Sequence, residues 1–294
     1  MSDQVQAMPP PLIPEVPPQQ IAERVWVFTD DRINLVPNIG VVVGDDATLV
    51  VDTGMGRRNG ERLLERVREI SDKPLLLTLT HFHPEHGWGA QAFEGVATIV
   101  YNRVQREELE EKFGPFVGLF SSFGPEIADL LKDVRLVRPH VVYDGDGAEL
   151  DLGGVTVQLS YHGPAHTRGD QLVLLARERV LFTGDLVENR FFPILPDEDA
   201  HGSEWIALLE RMEALDVTTV VPGHGEVGEL PLIGEAREYL EYVRARVNEA
   251  AANGTSLDDV KSQLEPEIRS RYAKWDNEIW IGFAIENFYR ERSA

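Results

Sequence analysis

Thr78-Leu79-Thr80-His81-Phe82-His83-Pro84-Glu85-His86-Gly87-Trp88-Gly89 is the stretch on which the reading of this chain turns. It follows the apolar run Leu75-Leu76-Leu77, which reads as a buried strand, and Pro84 with the glycines behind it reads as the loop where that strand ends. Such a loop is where a rigid scaffold holds functional side chains. Three of the chain's eight histidines and one carboxylate fall between positions 81 and 86. That is too dense for histidines scattered through a polar loop. Imidazole mixed with carboxylate suits zinc, iron or manganese, so the stretch predicts a metal site.

Composition narrows what such a site serves. The 294 residues, 43% hydrophobic and 27% charged, are those of an ordinary globular protein, long enough for one large domain or two. A formal net charge of −22 disfavours nucleic acid or an anionic membrane surface as the main partner. No stretch approaches a membrane span, and Met1 to Gln20 lack the basic and apolar regions of a signal peptide, so a cytoplasmic protein is expected. With no cysteine, any metal is held by His, Asp and Glu alone.

Outward from the cluster, the chain alternates apolar runs with polar junctions. Residues 1–20 are proline-rich and read as an extended arm, and residues 21–294 as a single domain. Arg24 to Thr29, Gly40 to Val43 and Thr48 to Val51 read as strands, the last ending in Asp52-Thr53-Gly54. Asn59 to Ser71 has helical spacing, Ala97 to Tyr101 reads as a strand, and a helical insertion is expected over about 102–133. Within that insertion Phe113, Phe116, Leu119, Phe120 and Phe123 alternate with glycines. Core packing explains the aromatics first, and a lid or a subunit contact is the alternative. Val141 to Leu159 reads as two or three short strands with Asp-Gly turns, which lack the terminal Glu of a calcium loop.

Three further strands lead to isolated donors: Val155 to Ser160 to His166, Val180 to Phe182 to Asp185, and Thr218 to Val221 to His224. Gly202 to Leu215 reads as an amphipathic helix capped by Ser203, and 235–294 as a helical C-terminal region. Strands of a common sheet would bring the donors to one edge. His81, His83, Glu85, His86, His166, Asp185 and His224 are then enough for two metals about 3.5–4 Å apart with one bridging carboxylate.

Asp52-Thr53-Gly54, the His81 to His86 cluster, Gly163-Pro164-Ala165-His166, Thr183-Gly184-Asp185 and Pro222-Gly223-His224-Gly225, in that order, resemble the metallo-β-lactamase fold hydrolases from about Val25 to the C-terminal helices. The resemblance implies an α/β fold, a four-layer αββα sandwich with the metals at one edge of its two sheets. It assigns His81, His83 and His166 to the first metal, and His86, His224 and the acid at position 85 to the second. Asp185 bridges, and Asp52 orients ligands. Where the family usually has His-x-His-x-Asp-His, this chain has Glu85, whose extra methylene lengthens the reach to the second metal.

The expected function is hydrolysis of an ester, lactone, thioester or amide of a small molecule, with two Zn²⁺ ions activating water and with iron or manganese as other possible metals. Glu85 and Asp185 are the expected catalytic carboxylates. Asp185 points to lactonases and thioesterases of the glyoxalase II type, which have a bridged site, rather than to true lactamases. The alternatives are a mononuclear or dinuclear iron oxidoreductase resembling persulfide dioxygenases, and a phosphodiesterase. A nuclease wants a basic surface that −22 does not supply. Asp170, paired with Arg168, is expected to support His166, and His162, Asn189 and Arg190 to meet substrate. His140 and His201 read as ordinary surface histidines. A homo-oligomer would form through the N-terminal arm or the 113–133 segment.

Overall fold

The structure, a computed structural model, describes residues 10–195 and 198–292; residues 1–9 of the expected N-terminal arm lie outside these. The chain divides into two compact units, residues 1–144 with 151–155, and residues 145–150 with 156–294.

The first unit is built on a seven-stranded sheet in strict chain order: β1 (Gln19–Ala22), β2 (Val25–Phe28), β3 (Ile39–Val43), β4 (Thr48–Val51), β5 (Leu75–Thr78), β6 (Ala97–Asn102) and β7 (Val141–Tyr143). Strands β1 to β4 are antiparallel neighbours, whereas β4 to β7 run parallel. Parallel strands need crossovers, and α1 (Gly56–Ile70) supplies the one from β4 to β5. Its Leu63 and Val67 are fully buried, each contributing about 1.5–3 kcal/mol. β4 is buried at every position, as expected for a strand covered on both faces. Gln19 and Gln20, read as the end of the arm, pair with β2. The expected insertion forms α3 (Arg103–Ser121) and α4 (Pro125–Leu131).

The second unit carries a five-stranded sheet of order β12 (Thr219–Pro222), β11 (Val180–Gly184), β10 (Gln171–Leu175), β9 (Thr156–Tyr161) and β8 (Gly147–Asp151). β10 is antiparallel to both its neighbours, and β11 and β12 are parallel. Helices α5 (Gly202–Glu213), α6 (Pro231–Ala252), α7 (Leu257–Arg271) and α8 (Trp280–Glu291) bury one continuous apolar cluster with it, around Trp205, Tyr239, Leu240 and Phe288. The cap of α5 is His201, whose Nδ1 accepts from Glu204 N–H, rather than Ser203. The Ser203 hydroxyl is drawn off by Glu291 at 2.6 Å. No helix among the described residues is long and apolar enough to cross a membrane.

Candidate metal centre

In each unit a parallel strand pair does the positioning. Val51 of β4 is in register with Thr78 of β5, so the residues leaving these strands emerge side by side. Asp52 leaves β4 at φ 68°, a left-handed conformation that Asp tolerates better than most residues. Its buried carboxylate accepts from Thr80 N–H (2.7 Å), the Thr80 hydroxyl (2.8 Å) and His86 Nδ1 (2.9 Å). A carboxylate cannot donate, so the network assigns the His86 proton to Nδ1 and points the Thr80 hydroxyl proton at Asp52. The Thr80 oxygen is then left to accept from His81 Nδ1 at 3.1 Å. In both imidazoles Nε2 becomes the proton-free atom, the form in which histidine binds a cation. Sequence reasoning missed Thr80; its signal was a hydroxyl directly before His81.

Glu85 and His86 sit on a single helical turn, α2 (Pro84–Gly87), whose start is fixed by Pro84. The Thr53 N–H and hydroxyl both donate to His86 O, at 2.7 and 2.9 Å, so the Asp52-Thr53-Gly54 turn fastens α2 to the end of β4. Glu85 is 4% exposed, and its Oε2 has no hydrogen-bond partner among the described residues. A buried, unpartnered carboxylate oxygen is costly unless a cation meets it. Close by, burial and then the charge of Asp52 push the Tyr101 phenol up, so it stays neutral.

In the second unit Gly184 of β11 is in register with Pro222 of β12, which places Asp185 beside Gly223-His224. A Cβ on Gly223 would stand 1.9 Å from Asp185 Oδ1, so only glycine leaves room for that carboxylate. His166 Nδ1 donates to Ile194 O at 2.7 Å, and because a carbonyl only accepts, Nε2 is again proton-free. Asp170 fixes the turn that carries it, accepting from His166 N–H at 2.8 Å, Thr167 N–H at 2.9 Å and the Thr167 hydroxyl at 2.5 Å. Arg168, the partner expected for Asp170, lies 3.2 Å from Asp199. His166 Nε2 and His224 Nε2 lie 3.7 and 3.8 Å from Asp185 Oδ2. Those separations exceed a hydrogen bond but approach the spacing of two donors that each sit about 2.0–2.2 Å from one zinc ion.

The first unit carries His81, His83, Glu85 and His86 as candidate donors, and the second His166, Asp185 and His224. All seven residues are buried. The donors therefore come from the ends of strands in two sheets, not from one common sheet. A wholly nitrogen and carboxylate set fits borderline divalent ions. His162, Asn189 and Arg190 belong to neither group. Asn189 braces the His224 turn, its N–H donating to His224 O at 2.9 Å and its side-chain amide to Glu226 O at 2.7 Å. Arg190 is exposed, and its carbonyl accepts from Asp276 N–H. His162 Nε2 pairs with Ser160 Oγ at 3.1 Å, and its pKa is held below the usual range by partial desolvation first and Arg211 second.

The chain is similar in sequence and in fold to known proteins. The family model for the metallo-beta-lactamase superfamily matches residues 33–224. An uncharacterized protein of Mycobacterium tuberculosis is 34% identical over 198 residues, covering 62% of this chain and 81% of that protein. A human acyl-coenzyme A thioesterase is 29% identical over 209 residues, covering 64% of this chain and 72% of the thioesterase. Among solved structures, a metallo-beta-lactamase from Pontibacter korlensis superposes with a TM-score of 0.63 at 20% identity, covering 76% of this chain and 98% of its own. At that identity the superposition shows the fold alone.

Proposed function

The chain belongs to the metallo-beta-lactamase superfamily, and from that premise we propose that it is a hydrolase of small-molecule esters, lactones, thioesters or amides with a dinuclear zinc site. The observation that carries this reading is a buried set of histidines and carboxylates, His81, His83, Glu85 and His86 in the first unit and His166, Asp185 and His224 in the second. His81, His83 and His166 would hold one ion, Glu85, His86 and His224 the other, and Asp185 both. When bound, such a pair of divalent ions brings the pKa of a coordinated water toward about 7 and polarises the oxygen of the bond to be cleaved.

The chain's own residues supply the rest. Asp52 keeps His86 proton-free at Nε2 directly, and His81 through the Thr80 hydroxyl. The Ile194 carbonyl does the same for His166. Glu85 has two oxygens, so one can bind a cation while the other receives the proton that the attacking water gives up. That proton then goes to the leaving oxygen, sulfur or nitrogen as the acyl bond breaks, which balances the reaction. The thioester option is supported by the human relative, whose name is that of a thioesterase.

The test is metal analysis of protein purified without added metal, followed by chelation and an assay with an activated ester and an acyl thioester. Two zinc ions per chain and loss of hydrolysis on chelation are expected. Full hydrolysis by metal-free protein would refute the reading, and iron in place of zinc would move it to the oxidoreductases of the fold.

A further inference from the structure

Three side chains on one face of α1, Asn59, Arg62 and Arg66, hold the described part of the proline-rich arm. Asn59 Oδ1 accepts from Ile13 N–H at 2.9 Å, and its amide donates to Pro11 O at 2.8 Å. Arg62 pairs with Glu15 at 2.7 Å, and Arg66 donates to Pro14 O at 2.6 Å and to Val16 O. Four backbone groups of the arm are thus met by side chains of a single helix. Ile13 and Asn59 are each 1% exposed. An apolar side chain at position 59 would cover the core as well and would carry no polar group into it, so packing alone does not account for an amide there. What the amide adds is a second connection, because it also donates to Met55 O at 2.9 Å, directly behind the Asp52-Thr53-Gly54 turn. Gly54 leaves no room for a side chain at that point: a Cβ would stand 2.9 Å from Asn59 Cβ and 3.1 Å from Ile13 Cδ1. From the turn the contacts continue to the donors. Gly54 O accepts from Gly89 N–H at 2.8 Å, Thr53 N–H donates to His86 O at 2.7 Å, and Asp52 holds His86 Nδ1 at 2.9 Å.

We propose that Asn59 is a positioning residue for the metal centre: with Ile13 of the arm wedged against Gly54, it locks the Asp52-Thr53-Gly54 turn and, through that turn, the orientation of His86 and of the α2 turn that carries Glu85. The arm is then a strap that belongs to the site. This role rests on the proposed donor set, since only a bound cation makes the exact place of His86 and Glu85 matter. The strap itself lies wholly in the first unit, with Asp52 and four of the donors. Donor positions must be held tightly for a metal to be held well, and a ligand's supporting contacts are what hold them. Here that support runs from the arm through Asn59 and Gly54 to the ligand turn.

The experiment is zinc competition against a chromogenic chelator on the full chain, together with amide exchange at Thr53 and Gly89 in metal-free protein. Ile13→Ser loosens the strap from its own side and leaves α1 and every donor untouched. Asn59→Ala removes the bonds to Pro11, Ile13 and Met55. Each should weaken zinc binding by about tenfold, the lower end of what loss of a supporting contact costs, and speed exchange at both amides. The double variant should bind zinc no more weakly than Asn59→Ala alone, because strap and amide act as one unit. Val67→Ala, buried on the same helix in the core of the first unit, is the control for mere destabilisation: it should lower stability and leave zinc affinity within twofold of wild type. Ile13→Ser carries the test by itself if Asn59→Ala does not fold. Zinc affinity within twofold of wild type in Ile13→Ser overturns the proposal, and so does an equal loss in Val67→Ala. A wild type that binds no zinc refutes the donor set instead, and exchange at Thr53 and Gly89 then decides whether the strap holds the turn.

Discussion

Replacing Asp52 by Asn tests whether the first unit is built to present proton-free nitrogens. The side chains are nearly isosteric, and Asn tolerates the left-handed φ of 68° at this position, so backbone strain does not confuse the result. One oxygen survives to accept from Thr80 N–H. The other becomes an amide N–H₂ facing two groups that now donate, the Thr80 hydroxyl and His86 Nδ1. The least costly escape is for His86 to move its proton to Nε2 and accept from the new amide at Nδ1. That removes the nitrogen on which a cation would sit. Loss of a supporting carboxylate of this kind typically costs 10–100-fold in metal affinity, or about 1.4–2.7 kcal/mol. Zinc competition against a chromogenic chelator measures that loss, and imidazole nitrogen NMR of the metal-free variant reads the tautomer. Zinc affinity within twofold of wild type, with His86 still protonated at Nδ1, would refute the argument. Thr80→Val is the graded control: it leaves the Asp52–His86 bond intact and removes only the hydroxyl that joins Asp52 to His81, so its loss should be the smaller.

Other expectations follow from single contacts. Gly223→Ala sets a methyl 1.9 Å from Asp185 Oδ1 and 2.9 Å from Asp185 N, so the strand ends must part. It should destabilise the fold by about 1–3 kcal/mol and lose metal from both donor groups together, as chemical denaturation and metal analysis would show. Away from the site, Glu267 accepts from Arg246 Nε at 2.8 Å and from the Tyr242 hydroxyl, and these bonds, Arg246 first, hold its carboxyl below the usual range. A folded pKa below the unfolded one gives stability that is present above the unfolded value and lost as pH falls through the folded one. Glu267→Gln should therefore cost under about 1 kcal/mol at neutral pH, the pair being partly exposed, and nothing in acid. Urea unfolding at the two pH values measures the difference, and an equal cost at both would refute the sign.

Asp185 and His224 were legible as candidate donors in the sequence because each follows a strand and stands beside a glycine. Gly223 makes that plain, since its hydrogen marks the space that Asp185 fills. Placing the donors on one common sheet failed because pairing is non-local: β7 and β8 are separated by three residues, yet they belong to different sheets. β10 went unread because Gln171–Leu175 ends in no donor. Within the helical insertion expected over about 102–133, Gly114-Pro115 signals a break. The structure carries α3 on to Ser121, because the apolar face at Phe116 and Phe120 outweighs propensity. The Ser203 cap failed through a partner 88 residues away, Glu291, which no local pattern reveals.

Glu85, where the family usually has Asp, makes the energetics of the site measurable in two opposite directions. Its backbone is fixed by α2, which Thr53 holds through His86 O, so the side chain cannot back out into water without unwinding that turn. The carboxylate is 4% exposed with Oε2 unpartnered, so in metal-free protein its desolvation is uncompensated at that atom. Glu85→Gln removes the charge and keeps the volume. It should stabilise the metal-free protein by about 1 kcal/mol or more, because an unpartnered buried charge costs more than an unpartnered buried amide. It should also weaken metal binding, and so shrink the stabilisation that saturating zinc confers, which is about 2.7 kcal/mol at a free concentration of 100 times Kd. Thermal unfolding with and without zinc then gives two shifts of opposite sign. If Glu85 were an ordinary structural carboxylate, the substitution would destabilise both forms alike, and that outcome would remove Glu85 from the donor set.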